Sequence, residues 1–340
     1  MAPPLLCPAS KEAFAHFRAQ TTTALTDLLG SSPFADPPQL SSRIMHVVDA
    51  GSYWRKKVRY GSEADDVVWA WLLVPKELDQ SAPAIICLPG SFMTPNWGKD
   101  GPVGLGGTEN WGDPESYGAD LARLGYITLC PDYPCAGERT TPGLKAYDTA
   151  EFDRRFPQWT RVGMSVWDVG RAVDFLLMVP EVDALRIGCM GWSQGGQTSV
   201  LAAALEPRIA AVASVCGWSP LRELPAANVQ NLCQSYNFPR LRPYVEKGAP
   251  LRFDLDHVAA LIAPRPFLDV RGRSDRFFSN AAATEQGLAA IADVYEMVGA
   301  GERFCSLWYE GEHAYNATAA REVQAWFYRW LWASEARSIQ

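Results

Sequence analysis

Histidine is scarce in this chain, with four residues in 340. His16, His46, His257 and His313 are scattered. They form no HExxH helix and no ligand cluster, so neither a metal nor another cofactor is expected. The eight cysteines form no CxxC pair, which removes the usual zinc and redox motifs. Cys87, Cys130, Cys189, Cys216 and Cys305 instead lie in or at the end of apolar runs, where a thiol behaves as a small buried hydrophobe. Free thiols of that kind fit a reducing, cytoplasmic setting. Basic excess is missing too. Lys and Arg number 31 against 38 Asp and Glu, a net charge of −7, which disfavours nucleic acid as a partner. No apolar run reaches the roughly 18 residues of a membrane helix. Met1 to Ser10 lacks the basic flank and apolar stretch of a signal peptide. Gly104-Leu105-Gly106-Gly107 lies in a long loop that does not run from strand into helix, so a nucleotide site is not expected. The expectation is a cytoplasmic protein acting on a small molecule, with no membrane partner. Its oligomeric state is left open, a homodimer included.

What is present suits a large core: 48% of residues are apolar and 20% charged. Residues 10–29 read as a helix with Ser10 as N-cap and Phe14, Phe17, Leu25 and Leu28 at helical spacing. Ser31 to Leu40 reads as a linker, so residues 1–40 form a helical appendage and 41–340 the main domain. Strand-like runs follow at 44–60 and 65–74, with a turn at Gly61-Ser62. Ala84 to Leu88 is a continuous apolar run of the kind buried on both sheet faces. A glycine-rich loop follows, and Asp113-Pro114-Glu115 has the chemistry of a helix start. Beyond it, strand and helix alternate: strand 126–130, helix 163–179, strand 186–191, helix 194–205, strand 210–216, strand 266–271, helix 280–297, strand 303–309, helix 314–333. Such alternation predicts a mostly parallel sheet with helices on both faces. Residues 217–262 break the pattern and read as a cap or lid insertion.

The chemistry-bearing motif is Gly191-Trp192-Ser193-Gln194-Gly195, at the junction of a predicted strand and helix. Glycines flanking a serine there allow a sharp, strained turn that exposes its hydroxyl above a helix N-terminus. Ser193 is therefore the candidate nucleophile. His313 lies in Glu310-Gly311-Glu312-His313, after the last strand, where such sheets carry their base. Asp275 follows the strand 266–271 at its C-terminal end. Asp269 is its rival, but lies mid-strand. In the chemistry this order implies, Ser193 attacks an acyl carbonyl, His313 moves the proton, Asp275 orients the imidazole, and water releases the acid. The backbone N–H of Gln194 and that of Ser91, with Phe92 as second choice, are the candidate oxyanion donors. Phe92, Trp97, Trp111, Trp159, Trp192 and Trp218 are candidate pocket walls. Glu138, Arg139 and Arg273 are candidates for recognising a polar group, though surface solvation explains them as well.

These stretches resemble the α/β-hydrolase superfamily. More narrowly, they are similar to its dienelactone-hydrolase-like and acetyl-xylan-esterase-like branch. The likeness covers about residues 80–335 and rests on Gly125-Tyr126 to Pro134, Arg186 to Gly196, Ile262 to Pro266 and Gly311-Glu312-His313. It implies the α/β-hydrolase fold and hydrolase activity. Dienelactone hydrolases use a cysteine nucleophile where this chain has Ser193, which favours a carboxylic ester as substrate. A small-molecule ester is the first expectation. A peptidase or amidase is the second, and a C–C lyase, cyclase or acyl transferase on the same fold is the third.

Overall fold

The computed structural model describes residues 8, 10–31, 37–63, 65–91, 98–105, 116–247 and 250–333. In chain order the elements are α1 (Lys11–Leu29), β1 (Ser42–Asp49), β2 (Tyr53–Gly61), β3 (Val67–Pro75), β4 (Ala82–Leu88), α2 (Tyr117–Arg123) and β5 (Ile127–Pro131). Then come α3 (Ala150–Arg155), α4 (Arg161–Leu176), β6 (Val182–Trp192), α5 (Gln194–Leu205), β7 (Ala211–Val215), α6 (Ala226–Leu232) and α7 (Arg242–Lys247). The chain closes with α8 (Leu255–Ala260), β8 (Phe267–Gly272), α9 (Ala281–Met297), β9 (Phe304–Tyr309) and α10 (Ala317–Phe327).

One nine-stranded sheet runs in the order β1-β2-β3-β5-β4-β6-β7-β8-β9. From β5 to β9 every neighbouring pair is parallel, and the β1, β2, β3 end is antiparallel. The expected run at 44–60 is in fact two strands. Gly51, at φ 84°, turns the chain between them, and its N–H donates to Asp49 Oδ1 at 3.0 Å. The predicted helix start at 113–115 lies outside the described residues, and α2 begins at Tyr117.

The sheet separates two cores, and strand alternation assigns residues to them. Ala84, Ile86 and Leu88 of β4 join the core that contains α4, α5, α8 and α9. Ile85 and Cys87 join the core beneath α2 and α10. Residues 10–29 are part of this packing: Phe14, Leu25, Leu28 and Leu29 of α1 belong to the first core, and Ser10 Oγ caps the helix at Ala13 N. Cys87, Cys130, Cys189 and Cys216 are buried free thiols, but Cys305 is exposed because β9 is an edge strand. No helix among the described residues is long and apolar enough to cross a membrane.

Segment 217–262 contains no strand among its described residues. It divides into two parts. Helix α8 is wholly buried and packs into the helical layer. The stretch carrying α6 and residues 236–237 faces the C-terminal ends of the parallel strands, where it walls the cavity over Ser193.

Candidate active site

Ser193 occupies the single residue between β6 and α5, at φ 54° and ψ −120°. That conformation is costly for a residue with a Cβ and persists only where surroundings enforce it. Here they do. The Ser193 N–H donates to Val215 O at 2.9 Å, and its carbonyl accepts from Gln197 N at 3.0 Å. The flanking glycines are steric requirements: a Cβ on Gly191 would lie 2.4 Å from Gly195 C, and one on Gly195 would lie 2.1 Å from Leu88 O. The hydroxyl makes no capping bond to α5. It stands 2.9 Å from His313 Nε2.

His313 Nδ1 is 2.7 Å from Asp275 Oδ2. The turn that carries the imidazole is pinned by Tyr309, whose one hydroxyl proton has the Ala314 carbonyl at 2.5 Å and the Glu312 carbonyl at 2.9 Å within reach, while its oxygen accepts from Ala314 N at 3.2 Å. It is also tied to the acid loop through Ser274 N to Gly311 O at 2.9 Å. Trp192, Phe277 and Phe278 surround the ring, with centroids 5.4, 4.8 and 6.0 Å away.

Asp275 Oδ1 accepts from Phe277 N at 2.8 Å and Phe278 N at 3.2 Å. Burial works against its charge. The His313 contact and the two amides outweigh that penalty and hold the carboxyl below the usual aspartate value. Cys216 Sγ lies with the Asp275 and His313 ligand atoms within 4.8 Å of one another. Asp275 and His313 are already bonded to each other, and Cys216 to Tyr309 Oη at 3.3 Å. The rival Asp269 is fully buried and bound by Arg271.

The cavity over Ser193 has a volume of about 270 Å³. Ser91, Trp192 and Gln194 line it, as do Gln197, Asn228, Asn231, Tyr236, Asn237 and the two phenylalanines at 277 and 278. No Lys, Arg, Asp or Glu lines it among the described residues. Phe92, Trp97 and Trp111 lie outside the described residues.

Two expected walls are elsewhere. Trp159 is buried with Phe152, Phe156 and Met164 against α4. Trp218 is buried beneath the Arg271 guanidinium, 4.3 Å from its ring. Bulky rings beside loops found core sites rather than the cleft. Nor do the charged candidates reach the cavity. Glu138 bridges Lys57 and Lys99, Arg139 is enclosed by Asp66 and Asp168, and Arg273 lies at the surface with Glu285 and Glu310. The amides of the cap and Gln197 were not singled out from sequence. Their signal was modest: Asn228 and Asn231 share one helical face, and Gln197 lies one turn beyond Ser193.

A family model described as glucuronyl esterase, fungi, matches residues 160–299, the stretch holding Ser193 and Asp275. A putative hydrolase, YtaP, of Bacillus subtilis (strain 168) is 27% identical over 216 residues, 64% of this chain and 69% of that protein. A 4-O-methyl-glucuronoyl methylesterase 1 of Sodiomyces alcalophilus is 32% identical over 155 residues, 41% of this chain but only 31% of that protein. Among solved structures, a glucuronoyl esterase from Solibacter usitatus superposes with a TM-score of 0.72 at 18% identity, covering 96% of this chain and 97% of that one. The chain is a carboxylic ester hydrolase of the α/β-hydrolase fold. The fold is the one its motifs resemble, and the solved structures similar to it include a putative acetyl xylan esterase from Bacteroides fragilis NCTC 9343 (TM-score 0.68, 18% identity, 90% of this chain and 78% of that one) as well as glucuronoyl esterases.

Proposed function

We propose that the hydrolase cleaves esters of a sugar acid, a glucuronoyl ester, through an acyl-enzyme on Ser193. The reading rests on the composition of the cavity wall. Five carboxamide side chains, Gln194, Gln197, Asn228, Asn231 and Asn237, line the cavity over the candidate nucleophile without a charged neighbour among the described lining residues. Asn228 Nδ2 is taken up by the Arg276 and Phe277 carbonyls and Gln197 Nε2 by Asn237 Oδ1, which leaves the Asn228 and Gln197 oxygens and the other amides for a ligand. A carboxamide both donates and accepts, as a hydroxyl does, so such a wall matches a polyhydroxylated ring. An esterified uronic acid carries no charge, and a neutral wall costs it no unpaired ion. The volume of about 270 Å³ lies just below the ~300–1,000 Å³ typical of small-molecule sites, which suits one sugar ring rather than a longer ligand. The names of the matched relatives point the same way.

In the proposed mechanism, His313 Nε2 takes the Ser193 proton as Oγ attacks the ester carbonyl. Asp275 holds the imidazole orientation and stabilises the imidazolium. The Gln194 N–H at the start of α5 receives the developing oxyanion, with Ser91 as second donor. His313 then returns the proton to the leaving alcohol. Water repeats the sequence to release the uronate.

The test is a comparison of kcat/KM for methyl glucuronate, acetylated xylose and p-nitrophenyl acetate. Preference for the glucuronate ester supports the reading. Preference for the acetylated sugar, with no turnover of the glucuronate, contradicts it.

A further inference from the structure

We infer that Asn228, in the cap, is a positioning residue for the reaction, holding the two peptide groups that hold Asp275. This rests on the proposed role of Asp275. Asn228 Nδ2 donates to Arg276 O and to Phe277 O, both at 2.8 Å. The Arg276 carbonyl belongs to the same peptide group as the Phe277 N–H. The Phe277 carbonyl belongs to the same group as the Phe278 N–H. Those two N–H groups are the ones donating to Asp275 Oδ1. One carboxamide therefore grips the far side of both peptides whose near side grips the acid.

Two consequences follow from that arrangement. The peptides are fixed in orientation, since swinging either N–H away from Asp275 would break its bond to Asn228. They are also polarised in the helpful sense, because a donor on the carbonyl strengthens the N–H as a donor. Carbonyls only accept, so both partners require an NH₂ group at this position. The same loop carries Phe277, whose ring meets His313 edge-on at 4.8 Å. Helix α6 thus contributes to the order of the triad as well as to the cavity wall, and seating of the cap and orientation of the acid become one event.

The surroundings of Asp275 permit a pH readout. Beside it stand His313 from the turn after β9, Cys216 just after β7 and Tyr309 on β9, and Arg276 follows it in its own loop, while Arg271 of β8 is taken up by Asp269 and the Trp218 carbonyl. Helix α6 carries no charged residue. Burial pushes Cys216 up to about 11 and also raises Tyr309, so neither changes charge in the acid range.

The experiment compares wild type with Asn228→Ala and Asn228→Asp. Asp keeps the shape of the side chain but faces two carbonyls with oxygens. The readout is kcat, KM and the acid limb of kcat/KM on p-nitrophenyl acetate, whose acetyl group is too small to need the cap wall. We expect kcat to fall about tenfold to a hundredfold in Asn228→Ala, the scale of a mispositioned catalytic group, and at least as far in Asn228→Asp. KM should change little. The acid limb, which belongs to the Asp275–His313 pair as a unit, should move up by about half a pH unit or more as Asp275 loses its amide donors. An unmoved limb, or a loss confined to KM and to bulky substrates, would overturn the inference and leave Asn228 a wall residue. Asp275→Asn in parallel separates the two claims. If that variant retains full activity, the triad reading fails. If it is crippled while Asn228→Ala is normal, the positioning role alone fails.

Discussion

Gly195 and Leu88 approach so closely that a methyl group on the glycine would lie 2.1 Å from the leucine carbonyl oxygen. Helix α5 therefore meets the end of β4 backbone to backbone, directly behind the serine and beside the start of the loop that carries Ser91. Gly195→Ala cannot be accommodated by a side-chain rotation, because the clashing atom is main chain. The variant should lose at least about 2 kcal/mol of stability, as strained backbone substitutions do, and its Ser193 should react slowly with a fluorophosphonate. A melting curve and a labelling time course check both. Wild-type behaviour in each would mean that the elbow is looser than its contacts indicate.

Asp275→Asn should separate chemistry from binding. The asparagine can keep the acceptor bonds from Phe277 and Phe278, yet it favours the wrong imidazole tautomer, which costs about 10⁴ in kcat in such triads. KM for a methyl uronate should be nearly unchanged. The same variant tests a stability effect. The carboxyl of Asp275 is held below its ordinary value by His313 and the two amides, against burial. A depressed carboxyl contributes stability that is present above its unfolded value of about 3.9 and is lost as pH falls through its folded value. The melting temperature of wild type relative to Asp275→Asn should accordingly fall as the pH is taken down from about 4 through the lower folded value. A constant difference across that window contradicts the assigned direction.

Arg139 is a structural ion rather than a substrate contact. Its guanidinium meets Asp168 at 2.5 Å and Asp66 at 2.9 Å, and Asp168 also accepts from Ser62. Removing the cation leaves two carboxylates facing each other with little water. Arg139→Met should cost about 3–5 kcal/mol by chemical denaturation. The fraction that remains folded should keep the wild-type KM for a methyl uronate. A raised KM with intact stability would return Arg139 to substrate recognition.

The parallel half of the sheet was legible because its strands are short apolar runs between helices, as Ala84 to Leu88 illustrates. So was the elbow, where Gly191 and Gly195 serve a local steric need. Asp275 and His313 followed from chain order on that fold, and the structure places both within hydrogen-bond reach of the chain that ends on Ser193 Oγ. The turn at Gly51 was hidden because Ala50-Gly51-Ser52 is a three-residue link between two strand-like stretches, too short to stand out as a loop. Trp159 and Trp218 were misplaced because loop neighbourhood does not reveal whether a large ring turns inward. Asn228, Asn231 and Asn237 gave no apolar period to read, and only the tertiary path of the cap brings them over Ser193. The last helix begins at Ala317, capped by Asn316, rather than at 314. That leaves His313 in a turn, free to face the serine.

Covalent labelling of Ser193 tests the nucleophile most directly. After treatment with a fluorophosphonate, peptide mass spectrometry should find one adduct, on Ser193, and none in Ser193→Ala, with hydrolysis of methyl glucuronate lost in step with labelling. An adduct on another residue, or undiminished labelling and turnover in Ser193→Ala, would contradict Ser193 as the nucleophile.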